Sequence, residues 1–178
     1  MSEITLRQAR AEYFESNGFP SDGGYEDKWI PLKFGWLTIY LYNSKARKAA
    51  VPFHDIHHVV TGYKTDLLGE AEIASWELAA GTHTKHFATI INMPCLLYGA
   101  ILSPKRVFKA YVLGRSSSTY YAQSFTDSLL NTTVNQARKD LLPIELPKPT
   151  LSNYLGFTAT FAFSLSLFSW PAIIYLLS

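Results

Sequence analysis

Cysteine is almost absent from this chain of 178 residues. The single cysteine, Cys95, excludes an intrachain disulfide framework and a zinc site built from several thiolates, and it fits a reducing compartment. The net charge of only +2 argues against the broad basic field of a nucleic-acid-binding protein. We therefore expect no nucleic acid among the partners, and we look for function among the histidines and carboxylates.

The hydrophobic pattern predicts an all-α protein. Residues 29–43 are rich in aromatic and β-branched side chains, which indicates extended structure. Pro31 and Gly35 argue against a long regular strand, so we expect an apolar arm that lies on the helices. Helices are predicted over residues 2–17, from 49 or 52 to 60, from a cap at Asp66 to about 80, over 87–103 with a kink at Pro94, over 104–113 and over 119–140.

Charge is missing from the last part of the sequence, where no charged residue follows Lys148. Residues 155–177 are mostly apolar, and as a helix they would measure about 34 Å against a hydrocarbon core of about 30 Å. The alternatives are a buried core helix and an interfacial hairpin. We predict a helical domain over residues 1–148 and a C-terminal transmembrane or membrane-inserted helix within 149–178.

The orientation of this anchor follows from the flanking charges. Basic residues lie just before the apolar run and none lies after it, which places the helical domain on the cytoplasmic side. The first residues mix both charge signs where a secretory signal needs an apolar core. The expected location is the cytoplasmic face of the inner (plasma) membrane, as a single-pass or peripheral protein.

Two histidines in the middle of the chain have the spacing of metal ligands. His54 and His58 are four residues apart, so they share one face of a helix. Asp55 lies near that face, and its short side chain suits a ligand or a ligand-orienting group better than the general base of a zinc peptidase. Glu70 becomes a third partner if the chain reverses at Gly62. Imidazoles and carboxylates without a thiolate suit a divalent metal ion such as zinc or iron.

Further polar residues surround this pattern. His57 points away from His54 and is expected to form hydrogen bonds, whereas Glu77, seven residues after Glu70 on the same helix face, is expected to accept a hydrogen bond from a ligand. His83 and His86 read more simply as part of a polar loop or helix start. Two histidines at this spacing also occur in helices without a metal, as a surface pair or a hydrogen-bonded core pair.

The run HDIHHVVTGYKTDLLGEAEIASWE, residues 54–77, contains HDxxH, eleven further residues and then glutamate. This spacing resembles the metal motif of the Coq-four family of ubiquinone (coenzyme Q) biosynthesis proteins, and a weaker similarity extends over about residues 30–140. The resemblance implies an all-helical, membrane-associated protein whose metal ligands are His54, Asp55, His58 and Glu70. It implies metal-dependent oxidative decarboxylation at C1 of a polyprenylated 4-hydroxybenzoate-derived ring, in which hydroxyl replaces the carboxylate. It assigns no catalytic residue.

The expected partners are membrane lipid and a polyprenyl quinone precursor, with other quinone-biosynthesis proteins or a second copy of this chain as further candidates. Two other functions stay open: a non-catalytic prenyl-lipid-binding scaffold that organises quinone-biosynthesis enzymes, and a metal-dependent hydrolase. An amphipathic segment with four basic residues is expected to contact lipid headgroups, with a helix that faces the core as the equal alternative. These residues are Lys105, Arg106, Lys109 and Arg115.

Overall fold

The computed structural model describes residues 3–34, 37–82 and 85–177, with the side chains at 32–34, 37, 39 and 170–177 outside that description. Within those residues the chain forms eight α-helices, a short 3-10 helix and a two-stranded antiparallel sheet. The predicted helical character is confirmed, and the small sheet is the departure from an all-α fold. The elements are α1 (Leu6–Ser16), β1 (Trp29–Phe34), β2 (Leu37–Tyr42), α2 (Lys45–Thr61), α3 (Leu67–Ala80), α4 (His86–Leu102), α5 (Pro104–Gly114), the 3-10 helix (Tyr120–Ala122), α6 (Asp127–Leu130), α7 (Val134–Leu141) and α8 (Leu151–Leu177).

Helix α2, which carries the paired histidines, begins earlier than predicted. The side chain of Ser44 accepts a hydrogen bond from the backbone N–H of Arg47 and so caps a helix that begins at Lys45. Pro52, considered above as a possible start, lies inside the helix. Helix α2 is therefore longer than predicted, and more than two helical turns precede the first of the paired histidines.

The connection from α2 to α3 is short and capped at both ends. Gly62 ends α2 with a left-handed φ of 76°, which glycine adopts without strain, and its N–H donates to the carbonyl of His58. Asp66 then caps α3 by accepting a hydrogen bond of 2.8 Å from the N–H of Gly69. A Cβ at Gly69 would lie 2.1 Å from the carbonyl oxygen of Lys64, so glycine lets the connection pack directly on α3.

Helix α3 lies at the centre of the protein, where it packs against both α4 and α5. Its Trp76 is fully buried in the larger of two apolar clusters. The contact with α4 is close: a Cβ at Gly99 would lie 2.2 Å from the Cβ of Ala71. Because α3 is held on both sides, its carboxylates Glu70 and Glu77 project from a well-supported element.

Residues 29–34 and 37–42 form the two short strands of a β-hairpin, which agrees with the predicted extended structure, although their pairing was not predicted. Trp29 pairs with Tyr42 and Pro31 with Tyr40 in antiparallel register. Proline is tolerated here because each strand of a two-stranded sheet has a free edge. At the base of the hairpin, Asn43 donates hydrogen bonds of 2.9 and 2.7 Å to two carbonyls of the preceding loop. The hairpin is thereby fastened beside the start of α2.

Residues 119–140 form three short helical elements, where one helix was predicted. Thr126 accepts a hydrogen bond from the N–H of Leu129, and Thr133 accepts one from the N–H of Gln136. Each threonine thus begins a new helix, because side-chain capping favours a start at that point. The single predicted helix is wrong for this reason.

Helix α8 covers the predicted membrane anchor. None of the helices in the described ranges combines the length and the apolar content needed to cross a bilayer. The first turns of α8 pack on α5, with ring centroids 4.5 Å apart for Phe108 and Tyr154 and 5.4 Å apart for Tyr111 and Phe157. The transmembrane helix predicted over 155–177 is therefore not confirmed. The last part of that prediction, residues 170–177, lies outside the described side chains.

Candidate metal centre

Helix α2 brings two imidazole rings together. His54 and His58 lie one turn apart, and their Nε2 atoms are separated by 3.1 Å. The ring planes are nearly perpendicular, at 89°, with centroids 4.7 Å apart. Both Nε2 atoms consequently face the same small volume.

Glu70, in the first turn of α3, completes a group of three. Its Oε2 lies 3.4 Å from Nε2 of His54, and its Oε1 lies 3.4 Å from Nε2 of His58. Three ligand atoms, one from each residue, all lie within 4.8 Å of one another. Metal bonds to imidazole nitrogen and carboxylate oxygen are about 2.0–2.2 Å long, which separates two ligand atoms on a tetrahedral ion by about 3.3 Å. The ligand atoms of the group therefore have the mutual spacing of ligands on a divalent ion.

Hydrogen bonds to Nδ1 hold both rings in the required orientation. Nδ1 of His58 donates to the carbonyl of Tyr63 at 2.9 Å, and Nδ1 of His54 donates to Oε1 of Glu77 at 3.1 Å. Because a carbonyl and a carboxylate accept only, Nδ1 carries a hydrogen in each ring. Metal-binding histidines use their second nitrogen in this way. In neutral rings both Nε2 lone pairs point inward, and at this distance they favour a cation between them, either a proton or a metal ion.

Behind this group, the fully buried Glu77 accepts hydrogen bonds from four side chains. Its Oε1 accepts from His54, from Nδ1 of His57 at 2.7 Å and from the hydroxyl of Tyr121 at 2.8 Å. Its Oε2 accepts from the amide nitrogen of Asn92 at 2.6 Å. So many donors stabilise the ionised carboxylate in the interior.

His57 is engaged on both sides of its ring. Nδ1 donates to Glu77, and Nε2 accepts the backbone N–H of Tyr120 at 3.0 Å. The ring also packs against Trp76 and Tyr121, with centroid distances of 5.3 and 4.8 Å. With both nitrogens in use, His57 supports the site and offers no lone pair to a metal.

The pKa values follow from burial and from these contacts. Burial lowers the pKa of His57. Burial opposes the charged form of His54 as well, but the charges and hydrogen bonds of Glu77 and Glu70 raise its pKa well above the ordinary value. Burial acts to raise the pKa of Glu70, yet hydrogen bonds from His54 and His58 lower it to about 2. In Glu77 burial is outweighed by the charge of His54, so its pKa is well below the ordinary value. Both carboxylates are therefore ionised near neutral pH.

Asp55, the fourth ligand implied by the family resemblance, lies outside the group of three. Its side chain is buried and accepts a hydrogen bond of 2.5 Å from the hydroxyl of Tyr25. Burial raises its pKa. The structure thus brings together His54, His58 and Glu70, and it places Asp55 at the contact between α2 and the loop before the hairpin.

The group of three is accessible from one side. The side chain of Glu70 is 33% exposed and that of His54 is 22% exposed, whereas His58 is 1% exposed. The ring of Tyr13 stacks on His58 at a centroid distance of 5.5 Å. Beyond these two rings lies an open groove of about 610 Å³ between α1, the end of α2 and residues 62–66. Glu70 and His54 are therefore the members of the group with the most exposed side chains.

The basic residues predicted to contact lipid headgroups lie on α5 and just after it. Arg106 forms an ion pair of 2.6 Å with Glu72. Lys105, Lys109 and Arg115 are exposed. The apolar side of α5 is buried in the protein, as in a core-facing helix, so a membrane would meet only its basic side.

His86 lies apart from the group of three, as the exposed first residue of α4. His83, which was considered together with it, lies outside the described residues. The interpretation as a helix start is thus confirmed for His86 and stays untested for His83.

Sequence reasoning missed several residues that support the ligands. Tyr63 contributes a backbone carbonyl, which has no sequence signal. Tyr121 is 44 residues from Glu77 and reaches it only through the fold. Asn92 carried a usable signal, because it is the single amide side chain in the uncharged run 87–103. An amide within an apolar helix often has a buried partner.

No protein-family model, no curated protein and no solved structure matches this chain. The resemblance described above therefore depends on the residues of the motif themselves, and the function that it implies is a proposal.

Proposed function

We propose that this chain is a metal-dependent enzyme of isoprenoid-quinone biosynthesis. It acts on a polyprenylated 4-hydroxybenzoate-derived ring and replaces the carboxylate at C1 by hydroxyl, with release of carbon dioxide and with an external oxidant such as dioxygen. The observation that carries the proposal is the convergence of His54, His58 and Glu70 from two helices. Their spacing in the chain resembles the motif of the Coq-four family, and this resemblance supplies the reaction class.

The three residues would hold a divalent ion such as iron or zinc. Two histidines and one carboxylate with open positions are typical of non-haem iron(II) oxygenases, which favours iron for an oxidative step. When bound, such an ion acts as a Lewis acid on ring oxygens, and iron also reacts with dioxygen. The exposed edge at Glu70 leaves room for a ring carboxylate to approach. Glu77 and the Tyr63 carbonyl keep the two imidazoles in place meanwhile.

A polyprenyl substrate resides in a bilayer, and the protein has an apolar surface suited to meet it. Helix α4 carries Asn92, which binds Glu77 behind the metal group, and also Ile101, which is 77% exposed. We place the protein at the cytoplasmic face of the inner membrane, either peripheral or inserted through α8. Among the side chains that the structure describes, the large exposed apolar residues of α4 and α8 include Ile90, Ile91, Ile101, Leu102, Leu151, Leu155, Phe163, Leu165, Leu167 and Phe168.

The second candidate function is a non-catalytic scaffold that presents prenyl lipids to other quinone-biosynthesis enzymes. The same apolar surface favours it, because such a surface would bind a prenyl chain without any metal. In that case the metal group only fastens α3 to α2.

The test is conversion of a defined substrate by the purified chain. The protein is loaded with iron(II) or zinc and mixed in air with vesicles that contain the prenylated ring carboxylate. We expect about one ion per chain by elemental analysis and the hydroxylated ring by mass spectrometry. Glu70→Gln should lose both while its circular dichroism stays unchanged. Bound but unconverted prenyl ring in both proteins would favour the scaffold, and a wild-type chain that binds no ion would contradict the enzyme.

A further inference from the structure

Glu77 is fully buried, whereas the candidate ligand Glu70 is one-third exposed. The two oxygens of Glu77 accept four hydrogen bonds, from two imidazoles, an amide and a phenol. The amide and the phenol are neutral, so only an imidazole can bring a positive charge to this carboxylate. Four donors stabilise this carboxylate, and a buried carboxylate is more stable still when a positive charge lies close to it. The question is which neighbouring group can carry or transmit that positive charge.

His57 does not balance this charge. Its Nδ1 donates to Glu77, and its Nε2 accepts the backbone N–H of Tyr120 at 3.0 Å. A second proton on Nε2 would face that N–H and leave it without an acceptor. His57 consequently stays neutral.

His54 connects the negative charge of Glu77 to the candidate metal group. Its Nδ1 donates to Oε1 of Glu77 at 3.1 Å, and its Nε2 faces Nε2 of His58 on the other side of the ring. A cation at Nε2 polarises the ring and strengthens the bond from Nδ1 to the carboxylate. The buried charge and the cation thus stabilise each other through one imidazole.

We propose that Glu77 is a positioning residue for a divalent cation, which keeps His54 in the Nδ1–H tautomer and adds a negative charge behind that of the candidate ligand Glu70. The inference rests on the proposed metal function. It adds that a side chain that does not touch the ion strengthens its binding through His54.

Asn92 offers a way to separate charge from shape. Glu77→Gln removes the charge and keeps an oxygen that accepts from His54. Glu77→Gln together with Asn92→Asp exchanges the two groups, so that an amide again donates to a carboxylate and the charge returns one side chain away. Tyr121→Phe is the matched control, because it removes another donor to the same oxygen and leaves both the charge and the His54 bond.

Zinc and cobalt(II) affinities of the four proteins are measured by isothermal titration calorimetry, with circular dichroism to confirm folding. Loss of a residue that supports a metal ligand lowers affinity about 10- to 100-fold, and we expect Glu77→Gln to lie in this range. The double variant should recover most of the loss, and the control should stay within about threefold of wild type. The visible spectrum of bound cobalt(II) should change in Glu77→Gln and return in the double variant.

Each outcome separates this inference from the function on which it rests. Equal affinity of Glu77→Gln and wild type would overturn the inference while the metal site stands. A loss that Asn92→Asp does not restore would overturn the charge assignment. A wild-type protein that binds neither zinc nor cobalt would overturn the proposed function itself.

If Glu77→Gln does not fold, the zinc-loaded wild-type protein still tests the inference by NMR. The Nδ1 proton of His54 should be observed far downfield and should exchange slowly with water, because it is bonded to a buried carboxylate. Rapid exchange of that proton would overturn the assignment of Glu77.

Discussion

His57 and His58 are neighbours in α2, and the protein uses them in opposite ways. Both rings are buried. His57 has a partner on each nitrogen, since one donates to Glu77 and the other accepts a backbone N–H. His58 is bonded on Nδ1 to the carbonyl of Tyr63, while its Nε2 faces a second imidazole nitrogen, that of His54. Completeness of hydrogen bonding, and not burial, separates the structural histidine from the candidate ligand.

The difference arises from helix geometry. Successive residues point about 100° apart around a helix, so His57 turns into the core and His58 turns with His54 toward the first turn of α3. Helix α3 places a carboxylate opposite each histidine. Glu77 accepts a hydrogen bond from His57 in the buried network, and Glu70 lies beside His58 in the candidate metal group. One pair of helices therefore contains a buried hydrogen-bond network around Glu77 beside the three candidate ligands, and the bond from His54 to Glu77 joins the two.

Among the predictions that compare the two histidines, replacing His58 by asparagine should have the largest effect, and the effect should fall on zinc affinity. The amide nitrogen of asparagine occupies the place of Nδ1 and still donates to Tyr63, whereas the Nε2 ligand is lost. We expect zinc affinity to fall at least about 100-fold, because loss of a supporting residue alone lowers it about 10- to 100-fold. Isothermal titration calorimetry measures the affinity, and circular dichroism reports the fold. Zinc binding close to that of wild type would show that His58 is not a ligand.

The same substitution at His57 should affect stability instead. Asparagine keeps a donor to Glu77, but it leaves the N–H of Tyr120 without an acceptor and removes part of the ring packed between Trp76 and Tyr121. We expect the free energy of unfolding to fall by about 2–4 kcal/mol, with zinc affinity within about threefold of wild type. Urea unfolding of the metal-free protein measures the first quantity. Unchanged stability with lost zinc binding would reverse the roles given to the two histidines.

The parts of this arrangement that sequence alone predicts carry local signals. Helix α3 has Asp66 as its cap and Gly81 directly after its last residue, and both ends are confirmed. The common face of His54 and His58 follows from their four-residue spacing and is also observed. Such features are decided within one or two helical turns, so they need no tertiary structure.

The sequence predicted hydrogen bonds for His57 and Glu77, but the other residues that support the candidate ligands were beyond prediction because they meet the site only in the fold. Tyr121 reaches Glu77 from 44 residues away, and Tyr63 contributes a backbone group that every residue has. The hairpin was missed for another reason: Pro31 weakens a strand in a large sheet, but both strands of a hairpin are edge strands. Both the supporting contacts and the hairpin therefore depend on tertiary structure, which the local sequence pattern does not show.

Asp55 is buried like Glu77 and was predicted as a ligand like Glu70. Replacing it by asparagine should have the smallest effect on zinc affinity and stability. The carboxylate of Asp55 accepts its hydrogen bond from Tyr25 in the loop before the hairpin. Asparagine at this position keeps an oxygen that accepts from Tyr25. We expect Asp55→Asn to bind zinc within about threefold of wild type and to lower the free energy of unfolding by about 1 kcal/mol or less.

The family resemblance makes the opposite prediction for the same variant. If Asp55 is a ligand, its carboxylate has to leave Tyr25 and turn toward His54 and His58 when the ion binds, and Asp55→Asn should then lose zinc affinity as His58→Asn does. Calorimetry on the two variants side by side distinguishes these outcomes. A loss in both would mean that metal binding reorganises the start of the hairpin loop, and a loss in His58→Asn alone would mean that the ion binds to the three residues already in place.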